Sequence, residues 1–223
     1  MNQTDLKFVE SVIGSTDTAG RVLDLGCGPG RILTALHKQG ITVDGLDNTK
    51  RHVTITKKQN PTAHIFEGDW KDTSLPSGSY GVIYSLGRNI LHEFQLPNQN
   101  KMFAEANRLL KPDGKFVLDI PDITIEESGY KKLANKYADT MQARGIKHFR
   151  YGTIYDSPDG QHFATRYAYS RDDIARLAED NGFIIEEVRE AELPTGQGDK
   201  NIYFVLKKVR DVYMPATPLR VAA

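Results

Sequence analysis

Apolar positions along the first half of the chain fall into two alternating rhythms. Short, almost continuously apolar runs occur at Arg21–Leu25, Ile41–Leu46, Ala63–Phe66, Tyr80–Ser85 and Lys115–Ile120. Runs without polar alternation predict strands covered on both faces. Between them, apolar residues recur every three or four positions, the helical period. Thr4–Ile13 carries Leu6, Val9 and Ile13 on one face, and Arg31–Gln39 is stopped by Gly40. A polar helix starts at Thr49 and must end by Asn60-Pro61, since the residue before proline disfavours helix. Asn98–Leu110 places Met102, Phe103, Ala106, Leu109 and Leu110 at core spacing, and Lys111–Gly114 closes it. Strands alternating with helices predict an α/β fold with a parallel sheet and right-handed crossovers.

The second half reads differently. Ile125–Lys147 is a charged helix with a thin stripe of Leu133, Tyr137 and Met141. Tyr151–Tyr155 and Gln161–Tyr169 are β-rich arms around Asp159-Gly160, which predicts a hairpin. Ser170 is placed to cap a helix over Arg171–Asp180, with Asn181-Gly182 as its stop. Phe183–Val188 and Asn201–Lys208 are two more strands, joined by the Gly-containing Pro194–Lys200 loop, so the last strand is expected to run antiparallel. Asp211–Ala223 contains Pro215 and Pro218 and no periodicity, and reads as a tail. With no internal repeat and no Pro/Ser-rich linker, the chain divides as one domain, 1–210. Residues 122–169 form an insertion after strand five, and 211–223 form the tail.

Composition narrows the class. Twenty-nine basic and 29 acidic residues balance, so no global field draws the protein onto nucleic acid or an anionic membrane. Cys27 is the only cysteine, which excludes an intramolecular disulfide and a Cys-rich metal site. No apolar run reaches the roughly 18–20 residues of a membrane span, and the first residues do not read as a signal peptide. The expectation is a cytoplasmic protein without a metal.

Chemistry concentrates at Val22-Leu23-Asp24-Leu25-Gly26-Cys27-Gly28-Pro29-Gly30, a strand that turns into a helix over three alternating glycines. Such a turn lets backbone approach a ligand, and the helix start presents free N–H groups. A dinucleotide loop, G-x-G-x-x-G, would need a third glycine where Arg31 stands. Here the last glycine comes one residue early, and an acid, Asp24, precedes the first by two. In acid, glycines and flanking strand the segment resembles motif I of the class I S-adenosylmethionine-dependent methyltransferases. The resemblance covers strand one to strand seven, with its specific motifs before Pro121. It implies a doubly wound, mostly parallel seven-stranded sheet of order 3-2-1-4-5-7-6, last strand antiparallel, with a helix-plus-hairpin insertion after strand five.

The same resemblance implies a cofactor, S-adenosylmethionine, and assigns its site. Asp24, Gly26, Cys27, Gly28 and Gly30 form the turn, with Asp24 suited to an ammonium group. The acid ending strand two accepts from ribose hydroxyls, and Asp47 holds that position about 20 residues past the glycines. Asp44 is its rival, but alternation with Val43 and Leu46 puts Asp44 mid-strand. Asp69 ends strand three, where the family accepts from the adenine amino group, and Trp70 follows as a flat neighbour for the ring. Asn48 and Ser85 complete the cofactor wall. Each residue also has a purely structural reading: Asp47 as a helix cap, Trp70 as a core aromatic, Cys27 as a small residue in a tight turn.

Methyl transfer is an in-line displacement in which the protein positions, desolvates and sometimes deprotonates the acceptor. The acceptor site implied by the family lies after strand four, at Leu86-Gly87-Arg88-Asn89-Ile90-Leu91-His92. The Pro-Pro-aromatic motif of enzymes that methylate exocyclic amines is absent. Many small-molecule methyltransferases carry Leu-His here, which makes His92 the candidate base. Arg88, Asn89, Tyr151 and Tyr155 are candidate acceptor contacts. The insertion also interleaves tyrosines with lysines and arginines, a mix compatible with single-stranded nucleic acid. Its intervening acids favour a solvated helix and a hairpin acting as a lid. The expected activity is methyl transfer to O or N of a small molecule, by a monomer or a homodimer. RNA or protein methylation, a non-catalytic cofactor-binding subunit and a nicotinamide-dependent oxidoreductase are the alternatives.

Overall fold

Seven strands lie side by side in the order β3-β2-β1-β4-β5-β9-β8 in the computed structural model. It describes residues 3–16, 20–87, 89–92, 96–122, 124, 152–156, 163–167, 169–192 and 199–212. The first half alternates α1 (Gln3–Gly14), β1 (Arg21–Leu25), α2 (Arg31–Lys38), β2 (Val43–Asp47), α3 (Lys50–Gln59), β3 (Ile65–Glu67) and β4 (Tyr80–Ser85). A 3-10 turn (Asn89–His92), α4 (Leu96–Leu109) and β5 (Leu110–Pro121) follow. The second half holds β6 (Gly152–Asp156), β7 (Phe163–Tyr167), α5 (Arg171–Asp180), β8 (Phe183–Glu192) and β9 (Lys200–Lys208). Strands β1 to β5 pair in parallel, and β9 runs antiparallel to both β5 and β8. Since β6 and β7 form a separate two-stranded sheet, the main sheet has the order 3-2-1-4-5-7-6 with an antiparallel last strand.

Helices cover both faces, which is why β4 is buried along all six residues and β1 along four of five. On one face Phe8, Val9 and Val12 of α1 join Leu33 and Leu36 of α2 and Tyr203 of β9. On the other, Phe103 of α4 meets Phe116 edge to face at 5.6 Å and 83°, alongside Ile174 and Leu177 of α5. α5 begins with a capping box: Ser170 Oγ accepts from the Asp173 N–H, and the Asp173 carboxylate accepts from the Ser170 N–H. A cap of this kind is worth about 1 kcal/mol.

Most boundaries move by one or two residues from the sequence reading, and two move further. The Lys111–Gly114 turn lies inside β5, because Leu110 already pairs with Tyr80 before the ladder breaks and resumes at Val82 with Lys115. Asp113, at φ 59°, forms the bend. β8 runs on to Glu192 instead of stopping at Val188, held by pairing to β9 as far as Lys200. It is an edge strand, so its outward positions carry charge and its apolar pattern fades early.

From the stretch expected to be an insertion, β6 and β7 pair antiparallel in a sheet of their own, from Gly152 with Tyr167 to Asp156 with Phe163, and β7 lies beside the 3-10 turn after β4. The helix expected over 125–147 lies outside the described residues, as does the tail beyond Val212. Among the described residues no helix is long and apolar enough to cross a membrane.

Candidate functional site

The carboxyl ends of β1, β2, β3 and β4 converge, and the glycine turn sits where β1 hands over to α2. Gly26, Gly28 and Gly30 have φ of 84°, 53° and 78°. At Gly26 space forbids a side chain as well, since a Cβ would lie 2.8 Å from Asn89 Nδ2. At Gly30 it would lie 2.7 Å from Thr56 Cγ2. Neighbours hold the turn in place. The Gly26 and Cys27 N–H groups donate to the Leu46 carbonyl at 2.8 and 3.0 Å. Asn89 Nδ2 donates to the Gly26 carbonyl at 2.7 Å, and Thr56 Oγ1 to the Gly28 carbonyl at 2.9 Å.

Asp47, at the end of β2, faces this turn. Its Oδ2 accepts the Gly28 N–H at 2.8 Å and its Oδ1 the Thr49 N–H at 2.8 Å, with His52 Nδ1 3.2 Å away. A cavity of 370 Å³ opens here. Gly26 and Gly28 line it on one side, Asp47, Asn48, Thr49 and His52 on another, and Gly68, Trp70 and Asn89 close it. The rival acid, Asp44, is buried in mid-strand and pairs with Arg21 and with His64 at 3.3 Å, away from the cavity.

The remaining expected residues divide. Asn48, Trp70 and Asn89 stand on the cavity wall, with Trp70 half-buried against the core. Asp69 points outward, half exposed, and pairs with Lys71 Nζ at 3.1 Å. Ser85 is buried and donates to the Leu25 carbonyl at 2.7 Å, tying β4 to β1. Cys27 is buried, its thiol pushed up by desolvation and then by Asp24 and Asp47, so it remains a neutral thiol. His92 ends the 3-10 turn and Tyr155 belongs to β6. Arg88 and Tyr151 lie outside the described residues.

Asp24 lies beneath the turn, fully enclosed. Burial pushes its carboxyl up to about 7, against the pull of the Tyr84 hydroxyl and the Arg31 guanidinium. The Tyr84 hydroxyl faces it without closing a hydrogen bond of normal geometry, and burial together with Asp24 keeps that phenol protonated. Arg31, standing where a dinucleotide loop has its third glycine, donates to Asp5 of α1 at 2.8 Å. Asp5 also accepts from the Tyr203 hydroxyl at 2.7 Å, so α1 is fastened to the start of α2 and to β9.

Sequence reasoning overlooked His52 and Thr49 in the wall. The available signal was position: both fall within five residues of Asp47, where α3 starts at the same sheet edge.

Residues 22–114 match a family model described as a methyltransferase domain. That stretch therefore belongs to the methyltransferase-domain family. Among curated relatives, an uncharacterized methyltransferase of Synechocystis sp. is 31% identical over 98 residues, 44% of this chain and 45% of its own. A sarcosine/dimethylglycine N-methyltransferase of Aphanothece halophytica is 32% identical over 108 residues, 45% of this chain and 38% of its own. The chain thus spans about half the length of the curated relatives it matches. In fold, it superposes on a methyltransferase of Methanosarcina mazei with a TM-score of 0.71, at 18% identity, covering 89% of this chain and 97% of that one. A geranyl diphosphate C-methyltransferase of Streptomyces coelicolor, solved with S-adenosylhomocysteine, gives 0.64 at 13% identity, covering 93% and 77%. The matched stretch takes in the glycine turn, Asp47 and Trp70, the parts that form the cavity.

Proposed function

We propose that this chain transfers the methyl group of S-adenosylmethionine to an oxygen or nitrogen of a small-molecule acceptor. The observation that carries the reading is the cavity between the Gly26–Gly30 turn and the Asp47 carboxylate. Its parts suit an S-adenosyl group: a glycine cradle that a Cβ would fill, a carboxylate for hydroxyls, and an indole for a flat base. In this reading Gly26, Cys27, Gly28 and Gly30 shape the cradle, Asp47 takes the ribose with Asn48 beside it on the cavity wall, and Asp69 and Trp70 take the adenine. Ser85 fixes the floor, and Asp24 answers the ammonium end. The cofactor supplies an electrophilic methyl group, which an acceptor lone pair takes in line while the sulfur leaves as a neutral thioether.

His92, the last residue of the 3-10 turn after β4, is the group to accept the proton of a hydroxyl or amine acceptor. Asn89 serves both sides, since it lines the cavity and holds the Gly26 carbonyl. Arg88, Tyr151 and Tyr155 are the proposed acceptor contacts, under a lid that includes β6 and β7. A small acceptor is supported by the balanced charge of the chain and by fold neighbours named for small molecules, geranyl diphosphate and 1,6-didemethyltoxoflavin. We read the protein as cytoplasmic, acting as a monomer or a homodimer.

Calorimetric titration tests the cofactor. S-adenosylhomocysteine should bind saturably and NADH should not; binding of NADH alone would sink the reading. The lid is tested separately by replacing residues 151–167 with a Gly-Ser linker. S-adenosylhomocysteine affinity should stay within about threefold, a change below 1 kcal/mol. Transfer of a labelled methyl group to acceptors of the wild type should fall to background. Loss of cofactor affinity in a folded variant would remove the lid from the acceptor side.

A further inference from the structure

Asp47 is already heavily engaged for a residue that must receive a ligand. A carboxylate offers about four lone-pair sites. Oδ2 takes the Gly28 N–H, while Oδ1 takes the Thr49 N–H and faces His52 Nδ1. Three of the four sites are therefore occupied by the chain itself, and one, on Oδ2, is left. A ribose brings two adjacent hydroxyls. One of them can use that last site, and the second needs a different partner on the same stretch of wall.

His52 is that partner. It lines the cavity with Asp47, is about 40% exposed at its side chain (41%), and stands in the first turn of α3, so the helix fixes where it sits. One ring nitrogen is directed at Asp47, and the other makes no hydrogen bond among the described residues. With Nδ1–H turned to the carboxylate, a neutral imidazole keeps an acceptor lone pair on Nε2. The rival is Asn48, also on the wall, whose Oδ1 already accepts from the Thr49 hydroxyl at 3.1 Å.

We infer that the cofactor's ribose is held by a pair, Asp47 and His52, each taking one hydroxyl. This rests on reading the cavity as the S-adenosyl site, and makes His52 a determinant of specificity for a ribose over a deoxyribose.

The test is a ligand–variant cycle by calorimetry, using S-adenosylhomocysteine and its 2′-deoxy and 3′-deoxy analogues. His52→Phe keeps a planar ring and loses both nitrogens. His52→Asn keeps a donor for Asp47 and loses the second nitrogen, so it guards against a folding defect. Both variants should weaken S-adenosylhomocysteine about tenfold, the effect of one buried hydrogen bond. That loss should vanish with one of the two deoxy analogues, the one lacking the hydroxyl that His52 takes. An equal loss for all three ligands, no loss, or a hydroxyl-specific loss in Asn48→Ala instead would overturn the inference. Wild-type protein that binds none of the three ligands would overturn the cofactor reading itself, before any variant is compared.

Discussion

Asp47→Ala is expected to weaken S-adenosylhomocysteine binding by about a hundredfold or more in a calorimetric titration. Two losses combine. A hydrogen bond from a ligand hydroxyl to a charged acceptor is worth about 1.5–3 kcal/mol, or roughly ten- to a hundredfold in affinity. The same carboxylate also binds the Gly28 and Thr49 N–H groups, so its removal frees the turn that shapes the cavity. Asp47→Asn should be no better than alanine, although it is nearly the same size. Each carboxylate oxygen accepts a backbone N–H, and an amide can satisfy only one of them; its NH2 must face the other donor. Asp44→Asn is the contrast. It should leave affinity unchanged and lower the melting temperature, because Asp44 is buried against Arg21 and His64, away from the cavity. Asp47 and Asp44 variants that lose affinity equally would refute the assignment of Asp47.

How far the chain could be read without coordinates differs from element to element. The strand–helix rhythm implied a parallel sheet with right-handed crossovers, while the sheet order came from the family that the glycine turn resembles. The choice of Asp47 over Asp44 rested on alternation, and β2 does end at Asp47 while Asp44 pairs inside the strand register with Leu23. Side-chain commitments were not legible. Ser85 stands at the correct strand end, yet its hydroxyl is taken by the Leu25 carbonyl, a contact across 60 residues of chain. Asp69 is likewise at the expected strand end and pairs outward with Lys71, only two residues away. Arg31 read as the residue that breaks a dinucleotide motif. Its partner Asp5, 26 residues earlier, shows that it also fastens α1, and no local pattern signals that bond. His52 was within reach, because a helix opening at the sheet edge must turn its first residues toward the ligand side. The charged end of β8 escaped because an edge strand needs one apolar face at most.

Asp24 should give the second large effect, with opposite signs for stability and for binding. Burial raises its carboxyl from an ordinary 3.8 to about 7, so the folded chain holds a proton that the unfolded chain has released between those values. Stability from this group is fully present below about pH 4, falls as pH rises, and levels off above about pH 7. Asp24→Asn removes that slope, because the amide stays neutral at every pH. Above pH 7 the variant should be the more stable protein, by up to about 4 kcal/mol from a shift of roughly three pH units. Calorimetric melts of both proteins at pH 5 and pH 8 read this directly. Binding should go the other way. A ligand ammonium beside Asp24 favours the ionised carboxylate, so S-adenosylhomocysteine should expel the proton below pH 7. Wild-type affinity should therefore rise from pH 5 to pH 7, while Asp24→Asn binds at least about tenfold more weakly at pH 7 without that rise. A variant that gains stability yet binds as tightly as the wild type would leave Asp24 as a buried core acid. A variant that loses both would mean that Asp24 is ionised and paired in the free protein, with Arg31 outweighing its burial.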